Sequence, residues 1–171
     1  MSSNSTYIAE SNGAGLAVQP VRMRRLVDRL AHYWRDIAGN GGFPSVDDID
    51  PWMIGDDLKD CLLIEVKTPL KSSCLLAVGE HLLAEPHRQL RLYTIADVPA
   101  HSLVSMIVSR LQWVQSSRDC IVAEGETGHD GGTILYRCTL LPLAADGAAI
   151  DHVLAAVTYK FVEPARQPVA G

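Results

Sequence analysis

Histidines, cysteines and clustered carboxylates are the side chains here that could move protons, attack an electrophile or hold a metal. Six aspartates fall between Asp47 and Asp60, a density that raises the question of a cation. Their spacing is not that of a calcium loop, which alternates ligands Asp-x-Asp-x-Asp-Gly and closes on a distal Glu. Ser45 with Asp48 three residues on, and Asp50 followed by Pro51, instead have the form of helix starts, and capping accounts for the acids without a metal. The histidines, His32, His81, His87, His101, His129 and His152, form no i, i+4 pair. Cys61, Cys74, Cys120 and Cys138 stand far apart beside apolar neighbours, with no Cys-x-x-Cys. That usage predicts reduced core cysteines in a cytoplasmic protein. Gly128-His-Asp-Gly-Gly superficially resembles a phosphate-cradling loop. It connects two strand-like runs and has no helix N-terminus to receive an anion, so a plain turn is expected. Nucleophile elbow, P-loop, His-Glu-x-x-His and dinucleotide fingerprints are all missing. The expectation is a binding protein rather than an enzyme, with no metal.

The elements that must position these residues are legible from periodicity. The chain has 171 residues, 47% hydrophobic and 20% charged, with a net charge of -5. This is enough chain for one domain with a substantial core. The charge gives no bulk attraction to nucleic acid or to an anionic membrane. No apolar run approaches the roughly 20 residues of a membrane span. Two β-branched and aromatic runs, Thr133–Leu143 and Ile150–Val162, flank Asp146-Gly147 and predict a hairpin. Val153, Ala155, Val157, Tyr159 and Phe161 share one face of the second run, and His152, Leu154, Ala156, Thr158 and Lys160 the other. Neither face is cleanly polar. Such a hairpin needs cover on both sides, which places it at the centre of the fold.

In chain order, residues 1–18 predict a disordered arm. A helix opens at Pro20 and carries Met23, Leu26, Val27, Leu30, Tyr33, Trp34 and Ile37 at helical spacing until Gly39. Arg22, Arg24, Arg25, Arg29 and Arg35 decorate it, as a docking surface for an acidic partner or nucleic acid or, given the net charge, as a solvated face. Cys61–Lys67 and Ser73–Glu80 read as strands, residues 81–100 as short turns and loops, and Ser102–Ser117 as one long capped helix. Residues 119–127 read as a third strand leading into the hairpin. Helices between two groups of strands favour an α+β single-sheet domain over alternating βαβ. Residues 19–163 form the domain in this reading, and residues 164–171 a flexible tail.

Tyr33-Trp34-Arg35, Gly41, Pro44-Ser45, Asp48-Ile49-Asp50-Pro51, Val78-Gly79, Leu141-Pro142-Leu143, Asp146-Gly147 and Val153–Val157 together resemble a bacterial family of single-domain PAS-like proteins. The match spans roughly residues 26–160, and the linker is its most specific part. The chain departs from the family pattern at the second strand, where Cys74–Gly79 replaces a longer stretch with an arginine. The resemblance implies a five-stranded antiparallel sheet in the order 2-1-5-4-3, helices on one face, and an added N-terminal helix. It further implies a sensory or regulatory module in signal transduction, acting on a small apolar or mixed ligand, a protein partner, or both. His81 and His87 flank the region where PAS-like domains build a cofactor cavity, so either is a position from which an axial haem ligand could come, with surface histidines the alternative.

Ala155 and Ala156 leave volume at the middle of the last strand. It is filled by Trp113, Met106 and Tyr136 or occupied by a ligand. The residues expected to line a cavity are Met106, Ile107, Leu111, Tyr136, Cys138, Ala155 and Val157. Which strand face looks inward stays open. Leu26, Leu30, Tyr33, Trp34 and Ile37 form a stripe that must lie on the sheet or on a second copy, which makes this helix the candidate for homodimer formation. A ligand-free adaptor is the rival reading.

Overall fold

The computed structural model describes residues 7–9, 21–40, 42–83, 94–129 and 131–163. Its strands are β1 (Tyr7–Ala9), β2 (Cys61–Glu65), β3 (Cys74–Val78), β4 (Ile121–His129), β5 (Gly132–Leu143) and β6 (His152–Val162). Its α-helices are α1 (Val21–Ala38), α2 (Pro51–Ile54), α3 (Leu103–Val108) and α4 (Leu111–Ser117). The strands form one sheet in the order β1-β4-β5-β6-β2-β3. With β1 set aside, the five antiparallel strands numbered along the chain run 2-1-5-4-3, as the resemblance implies. β1 pairs parallel with Val122–Glu124 at the outer edge of β4, so three residues of the expected N-terminal arm are strand. A three-residue strand has too few positions to show a period in sequence. The rest of that arm and the tail at 164–171 lie outside the described residues.

The sheet is covered on both faces, and side-chain alternation assigns each cover. Leu62, Ala155, Leu140 and Ile121 sit opposite one another across β2, β6, β5 and β4 and join Leu103, Ile107, Leu111 and Val114 of α3 and α4 in one core. The next row, Cys61, Ala156, Thr139 and Val122, looks the other way, and its apolar members meet Leu26, Val27, Leu30, Ala31 and Trp34 of α1. The helices between the second and third antiparallel strands thus lie on one face, as the resemblance implies, and the added N-terminal helix α1 covers the other together with Ile54 and the linker residues Phe43, Val46 and Ile49. The physical reason is the one visible in β6. Leu154 and Ala156 are as buried as Val153, Ala155 and Val157, and apolar side chains on both faces of a strand each require a partner.

α1 is held by specific bonds as well as by area. The Trp34 indole N–H donates to the Pro142 carbonyl at 2.8 Å. β4 begins opposite Leu140, so past that point no strand among the described residues lies on the β4 side of β5. A proline, which has no N–H to lose, fits there, and Trp34 satisfies the carbonyl that remains. Buried Arg137 pairs with Asp28 at 2.9 Å, and Arg35 donates to the Cys120 sulfur at 3.1 Å. Arg29 pairs with Asp57. Of the arginines read as a solvated face or an acidic-partner surface, Arg29 and Arg35 are thus engaged within the chain, Arg25 is exposed, and the side chains of Arg22 and Arg24 lie outside the described residues.

Local signals in the linker act as the sequence reading expects. The Asp48 carboxylate accepts from the Ser45 N–H at 2.7 Å and its hydroxyl at 2.9 Å, and these bonds hold its pKa below the ordinary value. Asp50 caps α2 through the Trp52 N–H at 2.9 Å. The β5–β6 connection is longer than a two-residue turn. Asp146 accepts from the N–H groups of Ala148 and Ala149, Gly147 takes φ 72°, and pairing resumes only at Asp151 and His152.

Replacing Trp34 by Ala removes a 6% exposed side chain and strands the Pro142 carbonyl. The expected loss is about 3–5 kcal/mol of unfolding free energy, and Trp34→Phe should lose nearer 1 kcal/mol, about one hydrogen bond. Urea titration checks this; a Trp34→Ala midpoint equal to wild type would show that α1 contributes no stability.

Candidate functional site

The long helix expected over Ser102–Ser117 is broken. Residues 102–117 form α3 and α4, separated at Ser109 and Arg110. Ser102 caps α3 by accepting from the Ser105 N–H at 3.1 Å. At the far end two side chains take the Met106 carbonyl: the Ser109 hydroxyl at 2.7 Å and the Arg110 guanidinium at 2.6 Å. The Arg110 N–H then bonds Ile107 O, three residues back, instead of Met106 O, four back. This local capture of a helix carbonyl by side chains competes with the α-helical ladder and ends it.

The same guanidinium reaches down to the sheet. Arg110 is 5% exposed; it donates to the Tyr136 hydroxyl at 2.6 Å and its guanidinium carbon lies 5.3 Å from the centre of the Tyr136 ring. Tyr136 faces Gly125 across β4 and β5. A Cβ at position 125 would lie 2.6 Å from the tyrosine oxygen and 3.0 Å from its ring, so glycine is what allows the ring to lie along β4 and present its hydroxyl beneath the helix break. Cys138, one pleat further on, is fully buried. Burial pushes its thiol up to about 11, opposed by the nearby Arg110 charge.

All seven expected cavity residues meet here. Ile107, Leu111, Tyr136, Cys138, Ala155 and Val157 belong to one buried cluster, and Met106 packs on its margin. The face of β6 turned toward α3–α4 is the one bearing Val153, Ala155 and Val157, while Leu154 and Ala156 face α1. Trp113 differs from expectation: at 37% exposed it does not fill the space beside Ala155. Arg110 and Gly125 are the members that residue-by-residue reading missed. Arg110 had a signal, since it falls three residues after Ile107 and four before Val114, a charge on an apolar stripe. Gly125 had none beyond being a glycine inside a strand.

The expected interface stripe lies on the protein's own sheet: Leu26, Leu30 and Trp34 are buried there, and Ile37 is half-buried. Tyr33 is spent on the linker, accepting the Asp50 N–H at 2.8 Å and donating to Asp48 O at 3.3 Å. A second copy could reach this stripe only by displacing α1. His81 is exposed and bonded to Asp60 at 2.9 Å, away from the helix–sheet core, so it does not fit an axial haem ligand; His87 lies outside the described residues. Among the described residues no three His, Cys, Asp or Glu side chains gather as a metal site, and no helix is long and apolar enough to cross a membrane.

A five-stranded antiparallel sheet in this order, with helices between its second and third strands packed on one face, defines the PAS class of α+β domain. A PAS domain family model matches residues 23–158, and the chain belongs to that family. Comparison with curated proteins and with solved structures gives no match.

Two measurements bear on the thiols. At neutral pH only half-buried Cys74 should react with a thiol reagent, because Cys61, Cys120 and Cys138 are buried; more than one fast equivalent contradicts the core. Burial also raises the folded pKa of these three above the ordinary 9.0, to about 12, 11 and 11. The unfolded chain therefore releases those protons first. Their contribution to stability is complete below pH 9.0 and is lost as pH rises through about 11 to 12. Urea melts across this range should show a shallower decline for Cys138→Ala than for wild type, whatever its absolute stability.

Proposed function

We propose that this PAS domain is a sensory or regulatory module that binds a small molecule between α3–α4 and the sheet, with Arg110 and Tyr136 as its polar anchor. Met106, Ile107, Leu111, Cys138, Ala155 and Val157 supply the apolar walls. PAS domains in general sense rather than catalyse, and the reading is of a non-enzyme.

The observation that carries it is a guanidinium, 5% exposed, placed against a buried cluster of uncharged side chains. Desolvating such a charge is costly, and well-packed apolar replacements of buried charges are often neutral or stabilising. A ligand with an acidic or strongly polar end and an apolar body accounts for a charge at this position. The coupling is local: Arg110 bonds both Met106 O, at the helix break, and Tyr136, on the sheet. A ligand that takes over those donors favours one packing of α3 and α4 against β4 and β5 and so changes the surface offered to a partner.

The ligand-free adaptor is supported by a different observation, the near-zero exposure of Leu111, Cys138 and Ala155, which is that of a core filled by its own side chains. Arg110→Met separates the two readings. For a sensor, the variant melts at or above wild type, and native mass spectrometry of protein purified from its own host shows a small-molecule adduct on the wild type that the variant lacks. Marked destabilisation of Arg110→Met, or identical spectra without an adduct, would make the arginine structural and leave the adaptor.

A further inference from the structure

Trp52 is 92% exposed and the adjacent Met53 66%, while every other large apolar side chain described is exposed by 43% or less. These two do not belong to a frayed segment. Asp50 caps the Trp52 N–H, Tyr33 of α1 takes the Asp50 N–H, and the Met53 N–H bonds Asp50 O at 3.1 Å. Ile54, the next residue, is buried at 3%, and the Arg29–Asp57 ion pair holds the following turn to α1. A rigid base thus presents an indole and a thioether to solvent, and little ordering entropy remains to be lost on docking. The base is acidic: Asp47, Asp48, Asp50 and Asp56 are exposed around the pair, and Lys59, the one lysine or arginine between Ser45 and Asp60, is paired with Glu80 at 3.4 Å.

From this anchor and its charge we infer that Trp52 and Met53 form a docking knob for a partner protein whose surface offers an apolar pocket rimmed by lysine or arginine. Tryptophan is among the side chains enriched at the few positions that dominate protein interfaces. The acidic rim selects a basic partner, speeds encounter with it, and disfavours an anionic membrane. The knob lies on the linker that joins α1 to β2, so its orientation follows the docking of α1 on the sheet. The inference rests on the partner-binding half of the regulatory reading and is independent of Arg110.

The test titrates the purified full chain with an amphipathic Leu–Lys helical peptide, and with a Leu–Glu peptide as control, reading tryptophan emission. The Leu–Lys peptide should bind and blue-shift an emission component absent from Trp52→Ala, and this variant should melt like wild type because the side chain it loses is exposed. Its binding should weaken at least about tenfold. The double variant Asp47→Asn, Asp56→Asn should weaken a few-fold and lose part of the salt dependence. Equal binding of the Leu–Glu peptide, or undiminished binding by Trp52→Ala, overturns the inference. A dimer of wild type that Trp52→Ala converts to monomer assigns the knob to a second copy, and binding to zwitterionic vesicles assigns it to lipid; either overturns it too. Arg110→Met keeps the knob and should bind the peptide as wild type does, so a failure here and a failure of the ligand reading are told apart.

Discussion

A β-hairpin apolar on both faces is the constraint from which the rest of this structure follows. β5 and β6 pair along eleven positions from Thr133↔Val162 to Leu143↔His152, and successive residues of β6 from Val153 to Val157 are all buried. A strand in that state cannot border solvent on either side. It must be flanked by strands, here β4 and β2, and roofed twice, here by α1 and by α3–α4. Each roof is paired with its own half of the alternation, so a shift of register by one residue would exchange the two cores and leave neither with matching partners.

The two roofs are attached differently. α1 is one unbroken helix, fixed by a tryptophan that supplies the donor a proline-containing strand end needs, and by ion pairs at Asp28 and Arg29. α3–α4 is interrupted, and the interruption is where a charge enters the core. Arg110 spends one donor on the carbonyl that its own helix gives up and another on a tyrosine of the sheet. A glycine on the neighbouring strand makes room for that tyrosine. Helix break, buried cation, tilted ring and glycine are therefore one arrangement, and a change in any of them is felt by the others.

Much of the fold could be read in the letters because the signals are local or periodic. Alternation in Thr133–Val162 identified the central hairpin, helical spacing identified α1, and Ser45, Asp50 and Ser102 marked helix starts where the caps are found. The exceptions have specific causes. The break at Ser109–Arg110 comes from side chains competing for one carbonyl, which the apolar period running through the break conceals. The pairing of Tyr7–Ala9 depends on an edge more than a hundred residues away. The seven cavity candidates were legible as apolar residues on particular faces, but Arg110, their polar companion, was hidden by a propensity that treats arginine as a good helix former.

By itself, the order of residues determined the five antiparallel strands and α1, that the last two strands are central, and that both their faces are covered, since these depend on period-2 and period-3.6 placement of apolar groups along the chain. Only the tertiary structure decided which face meets which helix, that the Tyr33–Trp34 helix spends its stripe on its own sheet, and that Arg110 lies over Tyr136. Those outcomes are set by contacts between segments distant in sequence, where carbonyls left over by one strand and space left by one glycine choose among partners that composition alone makes equivalent.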